Sequence, residues 1–512
     1  MIRALRNTLR LIRIGRILAR HDALFPLELL PSYPILAWIA RRFARKHVPG
    51  RPGERLAAAL HEMGPSFIKL GQTLATRSDL IGEAVSADLS HLQDRLPPFP
   101  SAQARATIET ELEQPIDRLF THFDDTPVAA ASISQVHYAE TAEGGKVAVK
   151  VLRPGIEQAF ARDLDLFAWV AELVERTQPQ LRRLKPRAVV AAFAATVRAE
   201  MDLRFEAAAA DELAANFTDY DGFRVPVIDW QRTARRVLTL ERIEGHRIDD
   251  IDSLVATGQD PDLLLKRSAE VFFLQVFRDG FFHADMHPGN MFVDEGGVLR
   301  PVDFGIMGRL DVKTRYFLAD MMVGFLNGDY RRVAEVHFQA GYVPADQSLD
   351  DFTQACRSIG APILGRPLHE ISVARLLAQL FQITEDFQME TQPQLLLLQK
   401  TMLVAEGVGR RLNPTLNMWE LARPLIEGWM RAHRGPEARI RQAALDVGGV
   451  IERLPTLLAQ IERAADRLAD PAGVKLHPDT AAAIVRQRRS GMVAQWPLWL
   501  GLGLVLLIAI LS

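Results

Sequence analysis

The sequence predicts an α+β fold in two lobes, a small strand-bearing lobe followed by a larger, mostly helical one. Three observations support this. Apolar strand-like runs flank Gly144-Gly145, a further strand-like run falls at Leu299–Val302, and nearly everything after residue 312 has helical periodicity. At roughly 100–200 residues per domain, a chain of 512 residues should form two to four folded units. Composition is 48% hydrophobic and 24% charged with a net charge of −2, which excludes a disordered, collagen-like or polytopic membrane chain. The single cysteine, Cys356, excludes a disulfide scaffold and a cysteine-rich zinc module.

The elements follow in order. Residues 1–50 form a basic arm: up to Arg51, eleven Lys or Arg stand against Asp22 and Glu28, a charge of +9 ahead of a remainder at −11. Arg3, Arg6, Arg10, Arg13, Arg16 and Arg20 share one helical arc of roughly 140°. This predicts an interfacial helix on anionic membrane lipids, with a solvated basic face or an organelle presequence as alternatives. Residues 51–115 read as a helical extension, punctuated by Leu96–Pro100. Val136–Glu140 and Val147–Leu152 predict a hairpin. Asp163–Arg176 and Arg187–Phe217 predict two long helices, the second continuous and rich in alanine. The small lobe then spans about 116–243, the large lobe 244–430, and a helical linker 431–490. No residue from Ser490 to Ser512 is charged, so 491–512 is long and apolar enough for one membrane-spanning helix. Arg486, Arg488 and Arg489 precede it, which places residues 1–489 on the cytoplasmic side. A buried terminal hairpin helix is the alternative.

Four segments carry chemistry through their order. Lys150 ends the apolar strand Val147–Lys150, which would bury its stem and leave the ammonium in a cleft. In HADMHPGN, Asp285 and Asn290 lie five apart across the Pro288-Gly289 turn, the spacing of a kinase catalytic loop. The rival reading makes His283, Asp285 and His287 ligands of a transition metal. Asp303-Phe304-Gly305 follows 18 residues beyond Asp285; its aspartate suits Mg²⁺, and Gly305 frees the backbone to turn. Glu200 and Glu206, six apart and so about 120° apart around the helix, should face different partners, which calls for a second lysine. Together these predict a two-lobed, protein-kinase-like fold that binds ATP and Mg²⁺.

The departures matter equally. The nucleotide loop is Val128, Ala129, Ala130, Ala131, Ser132, Ile133, Ser134, Gln135 and Val136, with no glycine, so it should be stiff. Ala284 stands where the catalytic loop of protein kinases has arginine. From Ile306–Asp311 the chain runs almost directly into a helix at Thr314–Phe325, leaving no platform for a peptide substrate. No Gly-x-Gly-x-x-Gly follows a strand, which argues against a flavin or nicotinamide oxidoreductase.

With Lys69-Leu70-Gly71-Gln72, the loop AAASISQVH, Glu200-x-Asp202, FFHADMHPGN and the stretch Gln392–Arg410, the chain resembles the UbiB family of atypical kinase-like proteins over about residues 50–430. The resemblance implies that Lys150 pairs with Glu206 and holds the nucleotide phosphates. Asp285 would be the active-site acid, and Asn290 and Asp303 the Mg²⁺ ligands. Lys69 would reach Glu200, with Gly71, Gln72 and Asp202 as family-specific regulatory positions, and their helices would cover the cleft. It also implies Mg-ATP-dependent support of ubiquinone biosynthesis at the bacterial inner membrane. Prenylated quinone precursors, membrane lipids and other ubiquinone biosynthesis proteins would be the partners, and nucleic acid would not. A true protein or small-molecule kinase and a non-enzymatic scaffold stay open as alternatives.

Overall fold

The computed structural model describes residues 2–24, 48–75, 96–177, 186–362, 393–413 and 418–434, with isolated positions between 81 and 89 and between 379 and 389. By internal contacts the chain divides into two units, 1–431 and 432–512, and only the start of the second is described. Among the described residues no helix is long and apolar enough to cross a membrane. The expected anchor at 491–512 lies outside them.

Three helices form the extension: α1 (Ile2–Arg20), α2 (Pro52–Met63) and α3 (Pro65–Ala75). Gly64, at φ 103°, separates the last two where a side chain would be strained. Ile17, Leu56, Leu60, Phe67 and Ile68 form their common core. The arginine arc of α1 does not face outward as a whole. Arg3 and Arg6 reach Asp165 at 2.8 and 2.7 Å, and Arg10 pairs with Asp163. The outward stripe is instead Leu5, Leu9 and Ile12, with Arg13 and Arg16 also exposed. Periodicity identified a basic face but not the acidic helix that covers half of it.

Within the expected extension, α4 (Ser101–Leu112) packs instead on the antiparallel sheet of the small lobe. The sheet runs β1 (Phe120–Phe123), β3 (Ser134–Thr141), β4 (Lys146–Leu152) and β5 (Val237–Glu241), with the two-residue β2 (Ala129–Ala130) paired on β3. The β3–β4 hairpin is the predicted one, registered with Val136 opposite Lys150. Strand alternation puts Val147, Val149 and Val151 into the core beneath α4 and turns Lys150 to the other face.

Three helices connect β4 to β5: α5 (Ile156–Thr177), α6 (Pro186–Glu200) and α7 (Leu203–Asn216). The expected continuous helix over Arg187–Phe217 is therefore broken at Met201-Asp202. Asp202 is extended, and its carboxylate accepts the Arg204 N–H at 3.2 Å, so it caps α7 rather than continuing α6. A short acceptor side chain competing for backbone donors outweighs the alanine-rich propensity around it.

In the large lobe, α8 (Ile251–Ala256) leads to α9 (Pro261–Phe273), which widens into a π-helical turn over Leu274–Asp279. Strands β6 (His246–Arg247), β8 (Met291–Val293) and β9 (Leu299–Pro301) form one small sheet, and β7 (Phe281–His283) pairs with β10 (Met307–Arg309). Helices α10 (Val312–Leu326), α11 (Tyr330–Ala340) and α12 (Leu349–Gly360) follow, then α13 (Pro393–Leu412) and α14 (Met418–Arg434). Asp311 caps α10 by accepting the Thr314 N–H at 2.7 Å, so only β10 and this cap separate Gly305 from the helix.

Candidate active site

Lys150 is the centre of the site. Its Nζ lies 2.8 and 3.0 Å from the two oxygens of Glu206 and 3.0 Å from Asp303 Oδ1. Strand alternation aims the lysine, the first turn of α7 supplies Glu206, and the segment after β9 supplies Asp303. Burial works against the ammonium, but the charges of Asp303 and Glu206 outweigh it and raise Lys150 above its ordinary value. Lys150 in turn holds Asp303 well below the usual carboxylate range. Burial pushes Glu206 upward against the pull of the same lysine. Asp303 is thus the more firmly ionised of the two acids, and its side chain is half-exposed to the cleft.

The backbone turn at this motif falls on Asp303 rather than on Gly305. Asp303 sits at φ 62°, a left-handed conformation that aspartate tolerates better than most side chains. Phe304 is buried edge-on against the His283 ring at 5.7 Å. His283 itself is a structural residue. Its Nε2 meets the Val302 carbonyl at 3.2 Å and its Nδ1 accepts the Asp285 N–H at 3.2 Å. Burial lowers its pKa, which favours the neutral ring. With both ring nitrogens of His283 engaged, the metal triad of His283, Asp285 and His287 is not formed, and no cluster of three such ligands occurs among the described residues.

The expected turn between Asp285 and Asn290 is formed by Pro288–Asn290. Asn290 donates through Nδ2 to the Asp285 carbonyl at 3.1 Å, which leaves its Oδ1 for a cation. Asn290 and Asp303 are hard oxygen donors, and two such ligands completed by phosphate oxygens and water are what Mg²⁺ prefers. The residues fit that ion. Ala284 is fully buried, its N–H bonded to the Ile306 carbonyl at 3.0 Å, so this position holds packing rather than charge.

The nucleotide loop is a tight β2–β3 turn closed by Ala131 N–H to the Ser134 carbonyl at 2.8 Å. None of Val128–Val136 adopts a positive φ. Val128 and Ala129 are exposed, Ala130, Ala131 and Val136 half-buried, while Ser132, Ile133 and Ser134 are buried. The Gln135 side chain does not serve the cleft. Its Oε1 accepts the Phe99 N–H at 3.0 Å and its Nε2 donates to the Phe99 carbonyl at 3.2 Å, tying the loop to the segment before α4.

Lys69, on α3, reaches Glu200 at 3.0 Å, and its charge also contributes to lowering Asp303. Gly71 is buried and Gln72 half-buried on the same helix. Asp202, besides capping α7, takes a two-pronged contact from Arg204 at 2.9 and 2.7 Å and stays outside the lysine cluster. Two pairs escaped sequence reasoning. Lys400, on α13, lies 2.9 Å from Asp285 Oδ1. Arg309 grips Glu212 of α7 with both arms, one contact at 2.8 Å, and stacks over Phe281 at 4.3 Å. Neither has a local signal, because both depend on contacts between distant segments.

A strand lysine tied to a helix glutamate and a metal-ready aspartate, above an Asp/Asn loop and without a peptide platform, defines an atypical kinase-like protein. Residues 91–337 match the ABC1 atypical kinase-like domain, and residues 356–417 match the UbiB helical domain. A Marinobacter nauticus protein named "Probable protein kinase UbiB" is 40% identical over 497 residues, 95% of this chain and 90% of its own. Relatives of the same name from Azotobacter vinelandii and Aeromonas salmonicida are 41% and 44% identical over 475 and 437 residues. These cover 90% and 84% of this chain and 87% and 80% of theirs. A Mycobacterium tuberculosis structure, described as the complex of Rv3197 with erythromycin, aligns at TM-score 0.53 and 25% identity, covering 72% of this chain and 93% of that one. The chain belongs to the UbiB family.

Proposed function

We propose that this chain is a membrane-associated ATPase or kinase that uses Mg-ATP to support ubiquinone biosynthesis. The observation that carries this is the Lys150 ammonium shared between Glu206 and Asp303. In that arrangement Lys150 steadies nucleotide phosphates, while Asp303 and Asn290 hold Mg²⁺, which when bound neutralises charge developing on the phosphate oxygens. Asp285 orients the attacking hydroxyl. The extension bearing Lys69 and the short run from Gly305 to α10 disfavour a peptide acceptor, so water or a small lipid-like molecule is the acceptor class.

Ubiquinone synthesis handles rings with polyprenyl tails, which are insoluble at about 0.8 kcal/mol per buried CH₂. Nucleotide-driven change in the cleft would present these prenylated intermediates, at the bilayer, to soluble ring-modifying enzymes. The exposed Leu5, Leu9 and Ile12 of α1, flanked by Arg13 and Arg16, suit an anionic lipid surface. The apolar run 491–512 suits a single inner-membrane anchor, with the kinase-like domain on the cytoplasmic side.

Quinone content in a deletion strain tests the reading. Wild type should restore it and Asp303→Asn should not. Full restoration by Asp303→Asn would reduce the chain to a scaffold.

A further inference from the structure

We propose that Lys400 is a positioning residue for phosphoryl transfer: from α13, outside the kinase-like domain, it holds one oxygen of Asp285 and leaves the other for the acceptor. The inference rests on the Mg-ATP reading above and adds the helical domain to its machinery. Lys400 Nζ lies 2.9 Å from Asp285 Oδ1. The other oxygen, Oδ2, stands 3.9 Å from His287 Nε2, too far for a hydrogen bond. His287 is fixed by its own turn, since its Nδ1 accepts the Gly289 N–H at 3.0 Å, which puts the proton of the neutral ring on Nε2.

The main chain of Asp285 is already pinned. Its N–H goes to His283 and its carbonyl receives Asn290, so what stays undetermined is the carboxylate rotation. Within the loop no side chain hydrogen-bonds the carboxylate, since the preceding position is the buried Ala284 and His287 stands at 3.9 Å. Lys400 does so from a rigid base: Leu398 and Thr401 beside it are buried, and the Thr401 hydroxyl donates to the Leu397 carbonyl at 2.8 Å. The Lys400 side chain is 40% exposed and that of Asp285 23%, so the pair adds little to fold stability. Its consequence lies in the chemistry.

In the transfer, the acceptor oxygen of water or an alcohol bonds to the γ-phosphorus. The bond from that phosphorus to the β–γ bridging oxygen breaks, and its electron pair leaves with ADP. The acceptor proton passes to Asp285 Oδ2 and then to solvent. Lys400 keeps Oδ1 occupied throughout, so the attacking hydroxyl meets one defined oxygen rather than a rotating pair.

The test uses the full chain in detergent or lipid, with Lys400→Met, Lys400→Arg, Asp285→Asn and the Met/Asn double variant. Mg-ATP binding is followed with a fluorescent nucleotide and turnover by phosphate release. Lys400→Met should bind Mg-ATP within about threefold of wild type yet lose about 10–100-fold in kcat. Lys400→Arg should recover much of that loss, and the double variant should be no slower than Asp285→Asn alone. Equal or faster turnover in Lys400→Met overturns this inference alone, as does nucleotide affinity lost in step with kcat. Wild type that neither binds nor turns over Mg-ATP overturns the functional reading as well.

Discussion

The Lys69 ammonium lies 3.0 Å from the Glu200 carboxylate, with both side chains about four-fifths or more buried. This joins α3 of the extension to the last residue of α6. A double-mutant cycle of Lys69→Ala and Glu200→Ala should return a coupling of about 0.5–3 kcal/mol in urea unfolding. Strict additivity would mean that the contact does not hold the extension.

Lys150→Met should do more damage than Asp303→Asn. The first removes the cation that Glu206 and Asp303 share, which costs about 3–5 kcal/mol when a buried pair is broken from one side. The second keeps the Lys150–Glu206 pair and changes a half-exposed group. Both variants should lose Mg-ATP binding, while only Lys150→Met should show a much lower urea midpoint.

Stability should fall as pH is lowered through the histidine range. Burial depresses the pKa of His137, His283 and His337 in the folded chain. Below the unfolded value of about 6.5, the unfolded chain therefore binds protons that the folded chain does not, which favours unfolding until the folded values are reached. The melting temperature should be flat above about pH 7 and decline toward pH 5. His337→Gln should make that decline shallower, because the single bond of His337 to the Val333 carbonyl does not need a titrating ring.

Gly308→Ala should disrupt the strand pair under the site. Gly308 lies opposite Phe282, and a Cβ there would sit 2.1 Å from the ring's Cζ. Phe282 is fully buried and cannot step aside. An overpacking cost of about 1–3 kcal/mol or more is expected in equilibrium unfolding, with a parallel loss of nucleotide affinity as Asp303 shifts.

Much of the site was legible because its chemistry restricts residue type. A lysine closing a Val-Ala-Val strand, an Asp and Asn five apart and a DFG triplet are each residue types suited to a phosphate or a cation, and the fold brings Lys150 and Asp303 together. The break at Asp202 was not legible, since alanine on either side makes a helix look continuous and only the cap geometry reveals the end. Arg3, Arg6 and Arg10 misled differently: spacing reports that they share a face, while Asp163 and Asp165 decide what that face meets. Lys400 stood within a stretch that resembled the family, yet its partner lies 115 positions upstream, and no window of sequence joins the two. Gln135 sat in a motif expected to serve the nucleotide and instead bonds the backbone of Phe99.

The interruption at Met201-Asp202 turns one rod into two levers set in series. Glu200 ends the first and is held by Lys69 of the extension; Glu206 lies in the opening turn of the second and is held by Lys150. Lys69 and Lys150 thus grip two separate helices joined by a two-residue break, where an unbroken helix would have carried both carboxylates on one rod.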